Sequence, residues 1–221
     1  PPLWKIPLPV PALATSWQIA AAGSQILVLG AGWKVVAPTV TSMDGSGKVV
    51  WSQSIPAAWS AADAIAATPE GGGWVIGSPK EYPKAVTIAR LSPSGTIAWQ
   101  GKADMPGGGS SLTGDAPDQV YGRSVATALN GSAVIVGRAL WVADGSLDSA
   151  PFLASISANG DTLWSETYGP KDAAFGVSVL RAPQAGWLML SARDILGKAR
   201  LTRISATGAV MWKVDLDEPE H

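Results

Sequence analysis

Enzyme chemistry and metal binding draw on a short set of side chains, and this 221-residue chain is poor in most of them. It has no cysteine and one histidine, His221, at its very end, which reads as tail. Thiolate nucleophiles, thiolate metal sites and disulfides are therefore excluded. Serine–histidine hydrolysis and histidine-ligated metal chemistry lack a partner residue. Carboxylates remain. Two suitably spaced Asp or Glu side chains suffice to cleave a polysaccharide, and Asp63, Asp115, Asp118 and Asp172 fall near inner strands or their entry loops. Their spacing selects no pair, so a carboxylate-dependent hydrolase or lyase stands only as an alternative. The runs Asp144-Gly-Ser-Leu-Asp148 and Asp115-Ala-Pro-Asp118 hold oxygens that calcium accepts. Neither follows a calcium-loop pattern, and Asp beside Gly and Ser is ordinary turn chemistry. The triplets Gly71-Gly72-Gly73 and Gly107-Gly108-Gly109 precede no helix, so they read as turn and loop rather than phosphate cradles. No metal and no cofactor is expected.

Aromatic side chains offer recognition instead of catalysis. Trp33, Trp59, Trp141, Tyr82 and Tyr168 fall in connections between strands, with Asp115, Asp118 and Arg123 as polar neighbours. On an exposed rim such rings suit a sugar, a peptide or a protein partner. The alternative is that each folds down over the sheet ends as local core. Trp17, Trp74 and Trp187 lie inside strands and read as core.

The elements that position these residues repeat along the chain. Trp4, Trp51, Trp99, Trp164 and Trp212 are 47, 48, 65 and 48 residues apart. Gly47, Gly95, Gly160 and Gly208 each precede their Trp by four positions; Trp4 lies too near the start to show its glycine. The surrounding segments read VTSMDGSGKVVW, IARLSPSGTIAW, LASISANGDTLW and LTRISATGAVMW. Each is an alternating strand, a turn opened by Asp, Ser, Asn or Pro and closed by Gly at positive φ, then a strand carrying the Trp. Two further strands fill each unit, roughly SWQIAAA and QILVLG in the first, with Gly or Asn130-Gly131 between such pairs. Four short strands per unit of about 45 residues is the blade pattern of a β-propeller. Seventeen prolines and 25 glycines argue against long helices. The expected fold is thus all-β: one domain over 1–221, with units near 4–50, 51–98, 99–163 and 164–211, and 212–221 as final strand and tail.

These hairpins resemble the tryptophan-docking motif of the pyrroloquinoline-quinone-type propeller repeat, over nearly the whole chain. The resemblance implies a structural role, the indole packing between neighbouring blades, for Trp51, Trp99, Trp164 and Trp212, and for Trp4. It does not imply the activity. Quinoprotein dehydrogenases of that superfamily need a cofactor-stacking Trp, a calcium site and a catalytic Asp in a large ring, often with adjacent cysteines. This chain offers no acidic cluster matching that site and no cysteine. Full rings of this type have about eight blades. A closed four-blade body is therefore the favoured arrangement, with part of a larger propeller, or a ring completed by a second chain, as alternatives. The N-terminal LWKIPL resembles the C-terminal MWKVDL, so one of the two strands is surplus to a four-blade ring.

The glycine-closed turns are uniformly short, whereas long segments at 102–119 and 138–150 enlarge the third unit by about 17 residues. Insertions on one face of a repeat array mark its recognition face. With hydrophobic residues at 47%, charged residues at 15% and a net charge of −1, the chain carries no footprint for nucleic acid. Its longest apolar stretch is too short and too polar to span a bilayer. Low charge with many Ala, Ser, Thr and Gly points to a secreted or periplasmic setting, and the chain opens without a secretory signal, as a trimmed mature chain does. The reading is a non-enzymatic binding or scaffolding propeller, monomer or ring-completing homodimer, taking a carbohydrate, peptide or protein ligand. A structural segment of a larger surface protein is a further alternative.

Overall fold

The structure is a computed structural model, and it describes residues 16–31, 37–56, 59–79, 85–103, 116–143, 146–169, 174–193 and 198–216. Every regular element among them is a strand, and sixteen strands form four antiparallel sheets in chain order. The first sheet holds β1 (Ser16–Ala22), β2 (Gln25–Ala31), β3 (Thr39–Met43) and β4 (Val49–Ser54). The second holds β5 (Trp59–Ala67), β6 (Gly73–Pro79), β7 (Val86–Leu91) and β8 (Ile97–Ala103). The third holds β9 (Gln119–Thr127), β10 (Ala133–Ala143), β11 (Ser146–Ile156) and β12 (Thr162–Thr167). The fourth holds β13 (Phe175–Arg181), β14 (Trp187–Arg193), β15 (Lys198–Ile204) and β16 (Val210–Leu216). Each strand pairs with its neighbours in sequence, so each sheet is a simple meander. An all-β array of this kind is propeller-like. A sheet takes its Trp-bearing fourth strand from the start of the following sequence unit.

The turn chemistry explains the fourfold hairpin. Gly47, Gly95, Gly160 and Gly208 have φ of 85°, 85°, 96° and 91°, a region that costs an L-residue energy and glycine almost none. Three residues earlier stands Asp44, Ser92, Ser157 or Ser205. In each, a side-chain oxygen accepts the N–H four residues on, from Lys48 at 3.0 Å, Thr96 at 3.2 Å, Asp161 at 3.0 Å and Ala209 at 3.0 Å. A short polar side chain thus closes what the hairpin ladder leaves open. A bulge in the fourth strand follows each turn and rotates the Trp onto the face opposite its predecessor.

Alternate faces of the strands build three inter-sheet cores. Leu27, Leu29, Val40, Ile65, Val75 and Leu91 join the first sheet to the second. Trp74, Ile76, Ile88, Ile135, Phe152 and Ile156 join the second to the third. Val136, Leu153, Val179, Trp187, Met189 and Ile204 join the third to the fourth. The strands β6 and β10 are apolar on both faces because both are covered, whereas β4 and β8 alternate between half-buried and exposed residues. Each fully buried Leu or Ile contributes about 1.5–3 kcal/mol.

The repeated indole is an inter-sheet wedge, and it reaches forward. Trp51 of β4 lies against Gly95 in the next sheet's turn and donates Nε1–H to Pro93 O at 2.8 Å. Trp99 of β8 lies against Gly160. Trp164 of β12 lies against Gly208 and donates to Ala206 O at 3.0 Å. Trp212 of β16 has no following sheet among the described residues and is 44% exposed. Trp4 lies outside the described residues.

Among the described residues the stack is open at the fourth sheet and at the inner strand of the first, whereas Val28 and Met43 on the first sheet's outward face are buried. Ile19 of β1, Ile65 of β5, Val125 of β9 and Val179 of β13 occupy one register position, paired with Val28, Val75, Ile135 and Met189 of the second strands. Ile65, Val125 and Val179 are 6%, 7% and 2% exposed, packed on the preceding sheet; Ile19 is 71% exposed. On the opposite face Leu180 holds the place of Ala66 and Ala126, which pack on the following sheet, and is 64% exposed. The first and fourth sheets therefore do not bury these positions against each other. Trp17, expected in the core, is half-exposed for the same reason: no described sheet covers that face of β1.

Candidate functional site

The residues singled out for recognition divide into those the fold buries and those it displays. Trp59 at the start of β5, Trp141 in β10 and Tyr168 after β12 are all buried. Trp59 packs in the core between the first two sheets, and Trp141 in the core between the second and third. The Tyr168 hydroxyl donates to Gly208 O at 2.8 Å, tying the third sheet to the fourth turn. Burial, helped by the nearby Glu166 charge, pushes that phenol well above its ordinary value, so it stays a neutral donor. These three rings spend their faces on core packing. Trp33, Tyr82, Asp115, Asp144 and Asp172 lie outside the described residues.

The segment 138–150, expected as a long connection, is mostly strand. It forms the extended ends of β10 and β11, which pair continuously from Ala133 with Ile156 to Ala143 with Ser146. Asp118 secures this hairpin: its Oδ2 accepts the Val142 N–H at 2.7 Å, and its own N–H donates to Leu140 O at 2.8 Å. Asp148 sits across the ladder from Trp141. Asp148 thus stands on the hairpin, and Asp118 lies in the bend just before β9. No three His, Cys, Asp or Glu side chains gather as a metal site among the described residues.

Among the described residues, Asp63 is the carboxylate that burial sets apart. It sits at an irregularity of β5, receives the Ser78 hydroxyl at 2.9 Å on Oδ2, and its carbonyl accepts Gln18 Nε2 at 2.6 Å from the first sheet. Burial raises its pKa above the ordinary carboxylate value; the Ser78 bond and the Arg123 charge offset part of that. A folded pKa above the unfolded one means the folded chain holds this proton more tightly. Its contribution to stability is then greatest below the unfolded value and declines as pH rises through the folded one. Asp63→Asn is expected to melt higher than the parent at pH 7 and together with it at pH 3, as followed by circular dichroism.

A groove of about 370 Å³ runs between the third and fourth sheets, lined by Leu129, Ser155, Leu163, Trp164, Arg181 and Trp187 among others. Its origin is visible in the neighbouring interface. Between the second and third sheets the cross-strand pair Trp74–Arg90 fills this place. Trp74 donates to Gly131 O at 3.1 Å, Arg90 donates to Ala158 O at 2.6 Å, and the guanidinium lies 5.6 Å from the indole centroid. In the third sheet the corresponding pair is Val134–Ser155, too small to fill it. The β13–β14 turn beside the groove holds Gln184 at φ 63° and Ala185 at φ 70°, with Ala185 where the sister turns place Gly71 and Gly131. Arg203 braces this strained turn by donating to the carbonyls of Pro183 and Ala185.

A further display is the outward face of the fourth sheet. Leu180, Leu188, Leu190, Leu201, Trp212 and Val214 share it, in rows fixed by the pairs Leu180–Leu188, Leu190–Leu201 and Leu201–Val214. Corresponding positions of the third sheet, Ala126, Val134, Val136, Leu153 and Trp164, are the ones that pack on the fourth. Sequence reasoning missed this face because it looked for function in loops. The signal was present: the alternation in FGVSVLR, WLMLS and VMWKVDL runs apolar on both faces of a terminal sheet.

No protein-family model matches the chain, and no curated protein matches it. Solved structures do. A protein of unknown function from Dyadobacter fermentans aligns with a TM-score of 0.60 at 14% identity, covering 88% of this chain and 66% of that one. A puromycin hydrolase, solved as its S511A mutant complexed with PGG, aligns with a TM-score of 0.52 at 13% identity, covering 89% of this chain and 31% of that one. The chain thus spans about two thirds of the first and under one third of the second, and at these identities the likeness is one of fold.

Proposed function

We propose that this chain is a non-enzymatic binding and scaffolding body of propeller type, engaging a protein partner through a sheet face left open at the end of its stack. The observation that carries the reading is the fourth sheet's outward face, where Leu180, Trp212 and Val214 are exposed beside half-buried Leu188, Leu190 and Leu201 and no described sheet covers them. A cluster of aliphatic and indole side chains, with Arg203 in the row between Leu188 and Trp212, marks a protein contact. It supplies few of the hydrogen-bond groups a sugar demands, which favours protein over carbohydrate. The burial of Trp59, Trp141 and Tyr168 supports the same choice, since those rings are not free to stack on a ligand. An extracytoplasmic setting accords with the low charge.

A photo-crosslinking amino acid in place of Leu180, in the source cells, is expected to give a covalent adduct with protein. The same residue in place of Leu147, exposed at the tip of the β10–β11 hairpin, is the control. Adducts at Leu147 without any at Leu180 would move recognition to the hairpin end and overturn the reading, as would silence at both.

A further inference from the structure

We infer that the groove between the third and fourth sheets is a binding site for a small aromatic carboxylate, one or two rings carrying a single negative charge. The inference goes beyond the protein contact proposed above and does not depend on it. The sister junction shows what the groove has room for. Between the second and third sheets an indole and a guanidinium, those of Trp74 and Arg90, occupy this place as one cross-strand pair. The third sheet has Val134 and Ser155 there instead. The recess left behind, about 370 Å³, falls within the size range of small-molecule sites. Its walls suit a planar ring, since Leu129, Leu163, Trp164 and Trp187 line it.

Two polar groups in the groove set the rest of the ligand's chemistry. Ser155 is 5% exposed and lines the groove, and among the described residues its hydroxyl has no hydrogen-bond partner. A buried hydroxyl left so is costly, and a bound acceptor completes it. Arg181 is the one charged residue among the described lining, and no described carboxylate pairs with it. Its counterparts in the other sheets are Ala21, Ala67 and Thr127, so the cation is particular to this junction. A guanidinium takes a carboxylate through two parallel N–H bonds. The neighbouring polar atoms are already spent: Trp164 Nε1–H donates to Ala206 O, and Asn130 Oδ1 accepts the Ser132 hydroxyl. Ala185, also in the lining, keeps a left-handed backbone where the sister turns have glycine, so strain is retained at the rim. The open chemistry is an apolar slot between indoles with one hydroxyl and one positive charge. Its complement is an arene bearing a carboxylate; a cation would meet Arg181, and a sugar would leave the indole walls without an apolar ring.

The probes are indole-3-acetate and 2-naphthoate, with indole-3-acetamide as the uncharged match, each titrated into the chain and followed by saturation-transfer NMR. At least one acid is expected to bind with a Kd of about 0.1 mM, and the amide about tenfold more weakly. Arg181→Gln changes an exposed side chain. It is expected to weaken indole-3-acetate about tenfold and to leave indole-3-acetamide unchanged. Lys213→Gln, an exposed cation of the fourth sheet, is the control and should alter neither. Val134→Trp combined with Ser155→Arg restores the pair of the second junction and is expected to abolish binding while the circular dichroism spectrum stays that of the parent. If that double variant fails to fold, Arg181→Gln decides alone. Silence from both acids at about 2 mM overturns the inference, as does equal affinity for acid and amide. So does parental binding by Arg181→Gln, or by a folded double variant. None of these outcomes bears on the Leu180 crosslink.

Discussion

Trp74→Ala is expected to destabilise the chain by about 4–5 kcal/mol, the largest single-residue loss in the molecule. Truncating a buried Trp to Ala typically costs 3–5 kcal/mol through lost transfer energy and the cavity left behind, and Trp74 is completely buried. Three further losses accompany it. Its Nε1–H satisfies Gly131 O at 3.1 Å, so a buried carbonyl is orphaned. Its ring meets Trp99 edge-on at 6.2 Å, so the wedge against Gly160 loses its backing. Its face supports the Arg90 guanidinium, which carries the bond to Ala158 O. The Arg90–Glu70 pair beside it is largely solvated and adds little. The Val134–Ser155 pair one sheet later shows why the site cannot simply collapse: there the same absence persists as an open groove. Guanidinium unfolding gives the measurement. Trp74→Phe should recover more than half the loss, and a Trp74→Ala midpoint equal to the parent's would refute the wedge account of the second junction.

Gly160→Ala is expected to cost about 3 kcal/mol, although one methyl is a trivial change in volume. A left-handed backbone costs an L-residue about 1–2 kcal/mol, and φ here is 96°. The added Cβ would also overlap the Trp99 ring, and overpacking typically costs a further 1–3 kcal/mol. Gly23 provides the contrast. It has φ 58° but open space around its missing Cβ, so Gly23→Ala should cost only the backbone part. Comparing the two by chemical denaturation separates turn conformation from docking. Equal losses would mean that the indole yields freely and that glycine is present for the turn alone.

Much of this architecture was legible because the wedge needs two residue types at a fixed spacing. Trp four residues after Gly, repeated four times, specified hairpin, turn chemistry and sheet number. The partner of each indole was less legible. The motif pairs Trp51 with Gly47 in sequence, but the ring docks on the turn that follows, since the bulge turns it away from its own hairpin. Trp141 and Tyr168 looked like rim residues because they lie in an irregular stretch. Strands β10 and β11 run four residues past their siblings and cover Trp141, and Tyr168 is held by a carbonyl 40 residues away. Trp17 erred in the opposite direction. Its strand is ordinary, but whether a strand face is core depends on the presence of a neighbouring sheet, which no local pattern encodes. The groove was invisible for a related reason, since Val134 and Ser155 are unremarkable until compared with Trp74 and Arg90.

Trp51 and Trp164 each bond to a carbonyl 42 residues downstream, in the adjoining unit. Among the described residues the sheets of the array couple chiefly to their nearest neighbours, which gives it the cooperativity of a one-dimensional chain of modules. Melting should begin where a module has one neighbour and advance inward junction by junction. The same locality makes the number of modules an adjustable quantity: gene duplication of a whole unit adds one sheet and one junction without disturbing any other.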